Sequence, residues 1–341
     1  MQANIDIKEI IKEKILVLDG AMGTMIQTYN LEEKDFRGER FKDHHMPLQG
    51  NNDILALTRP DVLKAIHISY LEAGADIIET NTFGGTFIAQ EDYDLAHAVF
   101  DINFESAKIA REAANEFTAK NPEKPRFVCG SMGPTTKLSS MSPDVNDPGF
   151  RSTSFEELVQ AFKEQVTGLI KGGVDLLMVE TITDTLNAKA ALFAIETVQS
   201  ELSTDLPVMI SGTITDASGR TLSGQNTEAF IVSVQHSQPL TIGLNCAMGA
   251  SGLRPYLSII RNKFDGFVHA HPNAGLPNEM GDYDETPEET AAQIKVFLEE
   301  GLVNIIGGCC GTTPAHIKAI ADLAENYQPY RKKDQDILVN A

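Results

Sequence analysis

The sequence predicts an α/β fold, a single closed (β/α)8 TIM barrel, and three observations carry that expectation. Eight short runs of nearly unbroken apolar residues are each followed by a stretch with helical spacing. Parallel strands buried on both faces read as continuous apolar runs rather than as alternation, because neither face meets water. No shift of composition divides the eight units, and an open doubly wound sheet gives no reason for eight near-equal repeats. The joins are also asymmetric. Those leading into the runs are short and marked by glycine, as in Glu72-Ala-Gly-Ala75, Lys171-Gly-Gly-Val174 and Glu300-Gly-Leu302, whereas several leading out are long.

In chain order, an opening helix over about 5–14 leads into the first run, Ile15-Leu-Val-Leu-Asp19-Gly20. A helix over 60–73 stops at Gly74 and feeds Ala75-Asp-Ile-Ile-Glu79-Thr80-Asn81, and the alanine-rich stretch 96–117 precedes Phe127-Val-Cys-Gly-Ser131-Met-Gly133. Helix 155–171 ends at Gly172-Gly173, residues that readily take the left-handed turn closing a helix. Val174-Asp-Leu-Leu-Met-Val-Glu180-Thr181 follows it. Helix 185–201 precedes Pro207-Val-Met-Ile-Ser211-Gly-Thr213, and a short helix over 228–235 precedes Leu240-Thr-Ile-Gly-Leu-Asn245-Cys246. Helix 252–263 precedes Gly266-Phe-Val-His-Ala-His271-Pro-Asn273, helix 287–300 the last run, 302–310, and a helix over 314–326 closes the series.

The composition narrows the function classes. At 341 residues and 42% hydrophobic the chain can bury a barrel-sized core. A formal charge of -20 argues against nucleic acid or an anionic membrane surface as the main partner. The first residues lack the basic and apolar regions of a signal peptide, no run is long enough to cross a bilayer, and four cysteines with two adjacent are no disulfide framework. These features read as a soluble cytoplasmic protein. The barrel is expected over 1–328, with 329–341 a tail whose charged start, Tyr330-Arg-Lys-Lys-Asp-Gln-Asp336, resembles an interdomain linker. The long joins, 21–59, 134–154, 216–226 and 274–286, fall on the C-terminal face of such a barrel, where active sites are built.

Polar residues gather where the runs stop: Asp19, Glu79 and Thr80, Ser131, Glu180, Ser211 and Thr213, Asn245 and Cys246, Asn273, Cys309 and Cys310. In a barrel these ends meet at one mouth. Adjacent cysteines are poor disulfide partners but good thiolate ligands for a soft metal. Cys246, Cys309 and Cys310 therefore suggest a zinc site with one coordination position open. Cys129, inside the third run, is expected to be a small buried hydrophobe. Between the thiol-bearing runs lies His269-Ala-His271-Pro-Asn273, whose alternate residues share one face. His271 suits a fourth ligand by residue type, Asn273 by position, and Asn273 is the expected exchangeable ligand; a hydrogen-bonded supporting layer is the plainer alternative for both. An electron-rich tris-thiolate centre suits binding a substrate thiol as a reactive thiolate better than activating water. Asp19 and Glu180 would then receive an ammonium group and glycine-rich turns a carboxylate, which implies a small amino acid bearing a thiol.

The segments Asp19-Gly20, Glu79-Thr80-Asn81-Thr82-Phe83, Glu180-Thr181, Gly243-Leu-Asn-Cys246 and Gly307-Gly-Cys-Cys-Gly-Thr312 resemble the zinc-dependent homocysteine S-methyltransferases over nearly the whole chain. Others look like the N-terminal homocysteine-binding module of cobalamin-dependent methionine synthase: Asp35-Phe-Arg-Gly-Glu-Arg-Phe41, Gly50-Asn-Asn-Asp53, Ser142-Pro-Asp-Val-Asn-Asp-Pro148, 210–220 and His271-Pro-Asn-Ala-Gly-Leu-Pro277. That resemblance implies Cys246, Cys309 and Cys310 as zinc ligands and as the catalytic centre, with Asp19, Thr80, Glu180 and Asn245 lining the homocysteine site. It implies homocysteine as substrate and methylcobalamin as the donor, supplied by separate cobalamin-binding and folate-binding modules or subunits. The sequence holds no Asp-x-His-x-x-Gly cobalamin motif, so the chain is expected to be an excised module or one subunit of a split enzyme. Two alternatives stand beside this: a stand-alone methyltransferase using S-methylmethionine, S-adenosylmethionine or betaine, and a non-catalytic homocysteine-binding subunit.

Overall fold

A computed structural model describes residues 6–216 and 218–330. Eight strands alternate with helices as the sequence predicts: β1 (Leu16–Val17), β2 (Ile77–Glu79), β3 (Phe127–Met132), β4 (Leu176–Ile182), β5 (Val208–Gly212), β6 (Thr241–Gly249), β7 (Phe267–Asn273) and β8 (Ile305–Ile306). All pair in parallel in the order β1-β8-β7-β6-β5-β4-β3-β2. The two ends meet at a parallel bridge between Leu18 and Ile77. There the Asp76 amide donates to the Val17 carbonyl at 2.7 Å and the Asp19 amide to the Ile77 carbonyl at 3.0 Å. The sheet is thus a barrel, with helices around it.

The helices are α1 (Ile7–Glu13), α2 (Met22–Thr28), α3 (Glu33–Arg37), α4 (Leu55–Thr58), α5 (Pro60–Ala73), α6 (Phe87–Gln90), α7 (Val99–Lys120), α8 (Phe155–Gly172), α9 (Thr185–Leu202), α10 (Thr227–Val234), α11 (Ala250–Lys263), α12 (Pro287–Glu299) and α13 (Pro314–Ala324). The stretch expected to begin a helix at 96 opens as a 3-10 turn, Ala96–Ala98, before α7. The join 21–59 carries α2, α3 and α4, because Ile26, Phe36 and Leu55 bury apolar faces that an irregular loop would leave wet. Among the described residues no helix is long and apolar enough to cross a membrane. Residues 331–341 of the expected tail lie outside the described part. Tyr330, at its start, still packs on the barrel: its ring lies 3.7 Å under the Arg261 guanidinium and its carbonyl accepts from Asn304 at 3.2 Å.

Two cores form. The outer one fills the space between strands and helices. The inner one fills the barrel with Leu16, Leu18, Ile77, Cys129, Leu176, Met178, Met209 and Ile305, and Ile7 and Ile11 of α1 seal it from below. Cys129 is fully buried there, as expected of a small hydrophobe.

One polar device recurs at the base. Asp76, just before β2, accepts the Val17 amide at 3.0 Å; Asp175, before β4, accepts the Val128 amide at 2.7 Å; Asn304, before β8, accepts the Val268 amide at 3.3 Å. In each case the residue leading into an even strand takes an N–H from the odd strand beside it. Lys14 pairs with Asp76 at 2.7 Å and balances a carboxylate with only 3% of its side chain exposed. Replacing Asp76 by Ala strips a buried N–H of its acceptor and Lys14 of its partner. The expected loss is about 2–3 kcal/mol of stability, read as a lower urea midpoint. Asp76→Asn, which keeps an acceptor, loses clearly less; equal losses in the two variants would show that the N–H acceptor is not what matters.

Candidate active site

The mouth is built from strand ends. After β8 the chain turns through Gly307-Gly308-Cys309-Cys310-Gly311, and its main chain is fastened on both sides. The Gly308 amide donates to the Asp19 carbonyl at 3.1 Å, the Cys309 amide to the Pro272 carbonyl at 2.8 Å, and the Ala274 amide to the Cys310 carbonyl at 2.9 Å. Only glycine fits at 308, where a Cβ would fall 2.4 Å from Thr312 Oγ1. Gly311 takes a φ of +80°, with Tyr283 packed where its Cβ would be. Cys246 arrives from β6 through a different device. It and Ala247 both take left-handed backbone at φ +58°, and the register with β7 shifts between Asn245 and Gly249. Consecutive non-glycine residues in that region carry strain that the surrounding structure must hold.

The result is a three-thiol cluster. The sulfurs of Cys246, Cys309 and Cys310 all lie within 4.8 Å of one another, with Cys246 and Cys310 Sγ at 3.9 Å. A tetrahedral zinc with Zn–S bonds of ~2.3 Å spaces its sulfurs about 3.8 Å apart, close to the Cys246–Cys310 separation, so the donor set suits such an ion. Hydrogen bonds from Cys246 and Cys309 pull the Cys310 thiol down to about 3, and the contacts with Cys246 and Cys310 push Cys309 well up. The Tyr283 hydroxyl also bonds to Cys310, and burial followed by the nearby thiolate holds it protonated. Asn273 is 2% exposed and its Oδ1 has no hydrogen-bond partner, an orphaned oxygen of the kind that a metal or a substrate would satisfy.

Facing the thiols is an acidic group. Asp19, Glu79 and Glu180 line one cavity of about 340 Å³ together with His271 and the three cysteines. One carboxylate oxygen each of Glu79 and Glu180 and a ring nitrogen of His271 lie within 4.8 Å of one another. Burial, then the Glu180 charge, raises the Asp19 carboxyl well above the usual range; burial, then Glu180 and Asp19, does the same for Glu79. Asp19 Oδ2 accepts the Glu79 amide at 3.1 Å, while Asp19 Oδ1 and Glu79 Oε1 have no partner. Glu180 is held by the Ser131 hydroxyl, and His271 Nε2 lies 3.7 Å from its other oxygen. Buried carboxyls with unmatched oxygens form a receptor for a cation.

The remaining expected residues divide. Thr80 lines the cavity, but its hydroxyl is engaged by the Ser131 amide at 3.0 Å and by Thr82 Oγ1 at 2.6 Å. Asn245 lies behind the wall with both ends of its amide bonded to protein. Its Oδ1 accepts from the Thr181 amide at 3.0 Å and the Ser211 hydroxyl at 2.7 Å, and its Nδ2 donates to Thr181 Oγ1 at 2.8 Å and faces Cys309 Sγ at 4.0 Å. Thus it ties the ends of β4 and β6 beside the thiols. Sequence reasoning did not single out Tyr283, Phe83 or Asp53. Tyr283 reaches Cys310 because join 274–286 folds back through a bridge to Pro277. Phe83 and Asp53 both line the cavity, and burial lifts the Asp53 carboxyl to about 6. Motif membership alone pointed to the last two.

Comparison with known proteins bears on this architecture. The sequence model of the homocysteine S-methyltransferase family matches residues 16–324. Among solved structures, the metallated form of the homocysteine methyltransferase MmuM from Escherichia coli is similar at 23% identity, covering 92% of this chain and 98% of that chain with a TM-score of 0.68. Its oxidized form is similar at 21% identity, covering 92% of this chain and 97% of that chain, with a TM-score of 0.69. These likenesses support the barrel fold. The family match runs from the first strand to the last helix, and the chain belongs to the homocysteine S-methyltransferase family.

Proposed function

We propose that this chain transfers a methyl group to the sulfur of homocysteine, giving methionine, with zinc held by Cys246, Cys309 and Cys310 and methylcobalamin on another module or subunit as the donor. The observation that carries the reading is one cavity with three thiols on one wall and three carboxyls on the other. Homocysteine bears a thiol at one end and an ammonium at the other, one group for each wall. Zinc bound there would hold the substrate thiol as a thiolate at neutral pH. Asp19 and Glu180, with Glu79, would receive the ammonium, and Asn273 would leave or join the metal as substrate comes and goes. Thr80 and Asn245 shape the wall, Asn245 by fixing Thr181 and Ser211 beside the thiols.

The chemistry asked of the protein is positioning. The substrate, held at both ends, would present its sulfur to the donor methyl group; a sulfur–carbon bond would form as the methyl–carrier bond breaks, with that bond's electron pair left on the carrier. The cobalamin donor is favoured by the segments at 35–41, 50–53, 142–148 and 271–277, all of which fall in joins or strand ends on the mouth side. A cobalamin-free donor remains the rival, and homocysteine turnover with S-methylmethionine, S-adenosylmethionine or betaine alone would establish it.

Purified protein is expected to hold about one zinc, and Cys309→Ala to hold almost none, with turnover of methylcobalamin and homocysteine falling to background. Retention of zinc and activity in that variant would sink the assignment. Glu180→Gln should weaken homocysteine about 10–100-fold, the value of a charged hydrogen bond, with zinc content unchanged. Binding should also depend on pH in a stated direction. Protonated carboxyls cannot pair with an ammonium, and Asp19 and Glu79 hold their protons to higher pH than ordinary carboxyls. Affinity therefore weakens as pH falls, beginning above the normal carboxylate range. Methionine, which lacks a thiol, isolates this effect in calorimetry; pH-independent methionine binding would remove the ammonium assignment.

A further inference from the structure

We propose that Phe83 is a preset contact for the corrin face of the methyl donor. Phe83 is 48% exposed, yet it stands on a turn that buried side chains hold from several elements. Gln165 of α8 donates to the Thr82 carbonyl at 2.8 Å, and Asn103 of α7 to the Gly85 carbonyl at 2.7 Å. Gln90 of α6 donates to the Gly84 carbonyl at 3.0 Å, while the Gly84 amide donates to Asp53 Oδ1 at 2.9 Å. Gln165 and Asn103 are fully buried and Gln90 is 1% exposed. Burying amide side chains is unfavourable unless they are paired, and here the amide nitrogens are spent on the main chain of a surface turn while Asn103 Oδ1 and Gln165 Oε1 go without a partner.

The ring is fixed from below as well. The Gly133 amide donates to the Phe83 carbonyl at 3.2 Å, and a Cβ on Gly133 would lie 2.7 Å from Phe83 Cδ2. The ring therefore rests on bare backbone at the end of β3, with its outer part facing water. It lines the same cavity as the three thiols. Folding gains little from an aromatic ring left half in water, whereas a ligand that covers it gains apolar contact without having to order it. Homocysteine is held by polar groups at both ends and needs no such surface. A donor must enter from the mouth, since α1 closes the base. A corrin bearing its methyl group on the ring axis has to lie across that mouth to present the methyl to the sulfur. The apolar ring face around that methyl group then meets Phe83. Gln165, Asn103, Gln90 and Asp53 are positioning residues that act through this turn.

The inference rests on methylcobalamin being the donor, so the test reports on both. At saturating homocysteine, Phe83→Ala is expected to lower kcat/KM for free methylcobalamin about tenfold, as for an aromatic contact of about 1.4 kcal/mol. Homocysteine affinity and zinc content should stay at wild-type values, and Phe83→Leu should recover most of the loss. Gly133→Ala, whose Cβ would meet both the Phe83 carbonyl and its ring and so displace the turn that carries it, should show the same donor-side defect. Wild-type turnover with kcat/KM unchanged in Phe83→Ala would overturn this inference alone, as would an equal loss in homocysteine affinity. Wild-type protein that does not use methylcobalamin would overturn it together with the donor assignment.

Discussion

The hydrogen bond from the Gly308 amide to the Asp19 carbonyl joins the last strand end to the first. On one side of it stand the paired cysteines, on the other the first of the buried carboxyls. With the bonds from Cys309 to Pro272 and from Ala274 to Cys310, it sets the distance between the two walls of the cavity. Neither wall is a loop free to adjust. A methyl group on Gly308 would run into the Thr312 side chain, and the backbone change needed to admit it would shift thiols and carboxyls relative to each other. The two-ended grip proposed for homocysteine depends on that seam.

The site also runs against the ordinary rules of a stable core. Three buried carboxyls face one another, Cys246 and Ala247 adopt strained backbone, and orphaned atoms on Asp19, Glu79, His271 and Asn273 find no partner in the protein. Each feature destabilises an isolated chain. All of them lie at one mouth, while the base is conventional: apolar filling, a helix as a plug, and paired carboxylates that close the strand seams. Strain at one end is carried by regularity at the other.

The barrel was legible because its signal is repeated. Eight apolar runs and the glycines at 74 and 173, both left-handed helix ends in the structure, are local statements that no tertiary contact needs to complete. The thiols and Asp19, Glu79 and Glu180 were legible as strand-end residues, since a barrel brings every strand end to one place. What the spacing did not carry was orientation. Asn245 reads like a substrate ligand, but its amide is spent on Thr181, Ser211 and the Cys309 side. Tyr283 sits in a join whose path is set by packing on Gly311, and nothing in its own neighbourhood forecasts that contact. The helices within 21–59 were hidden for a related reason. They are too short for a clear period and exist because the barrel offers them a surface.

The plug formed by Ile7 and Ile11 has a kinetic meaning. With the lower end sealed, the described residues leave the mouth as the way in, and in the proposed reaction substrate, donor and product would share it. In the proposed reaction the amino acid would have to be seated on the cavity floor before a broad donor covers the entrance, and the product could not depart until that cover lifts. A dead-end pocket of this shape imposes an order of arrival and of release. Withdrawal of the proposed carrier would then be a step in turnover, beside the chemistry itself.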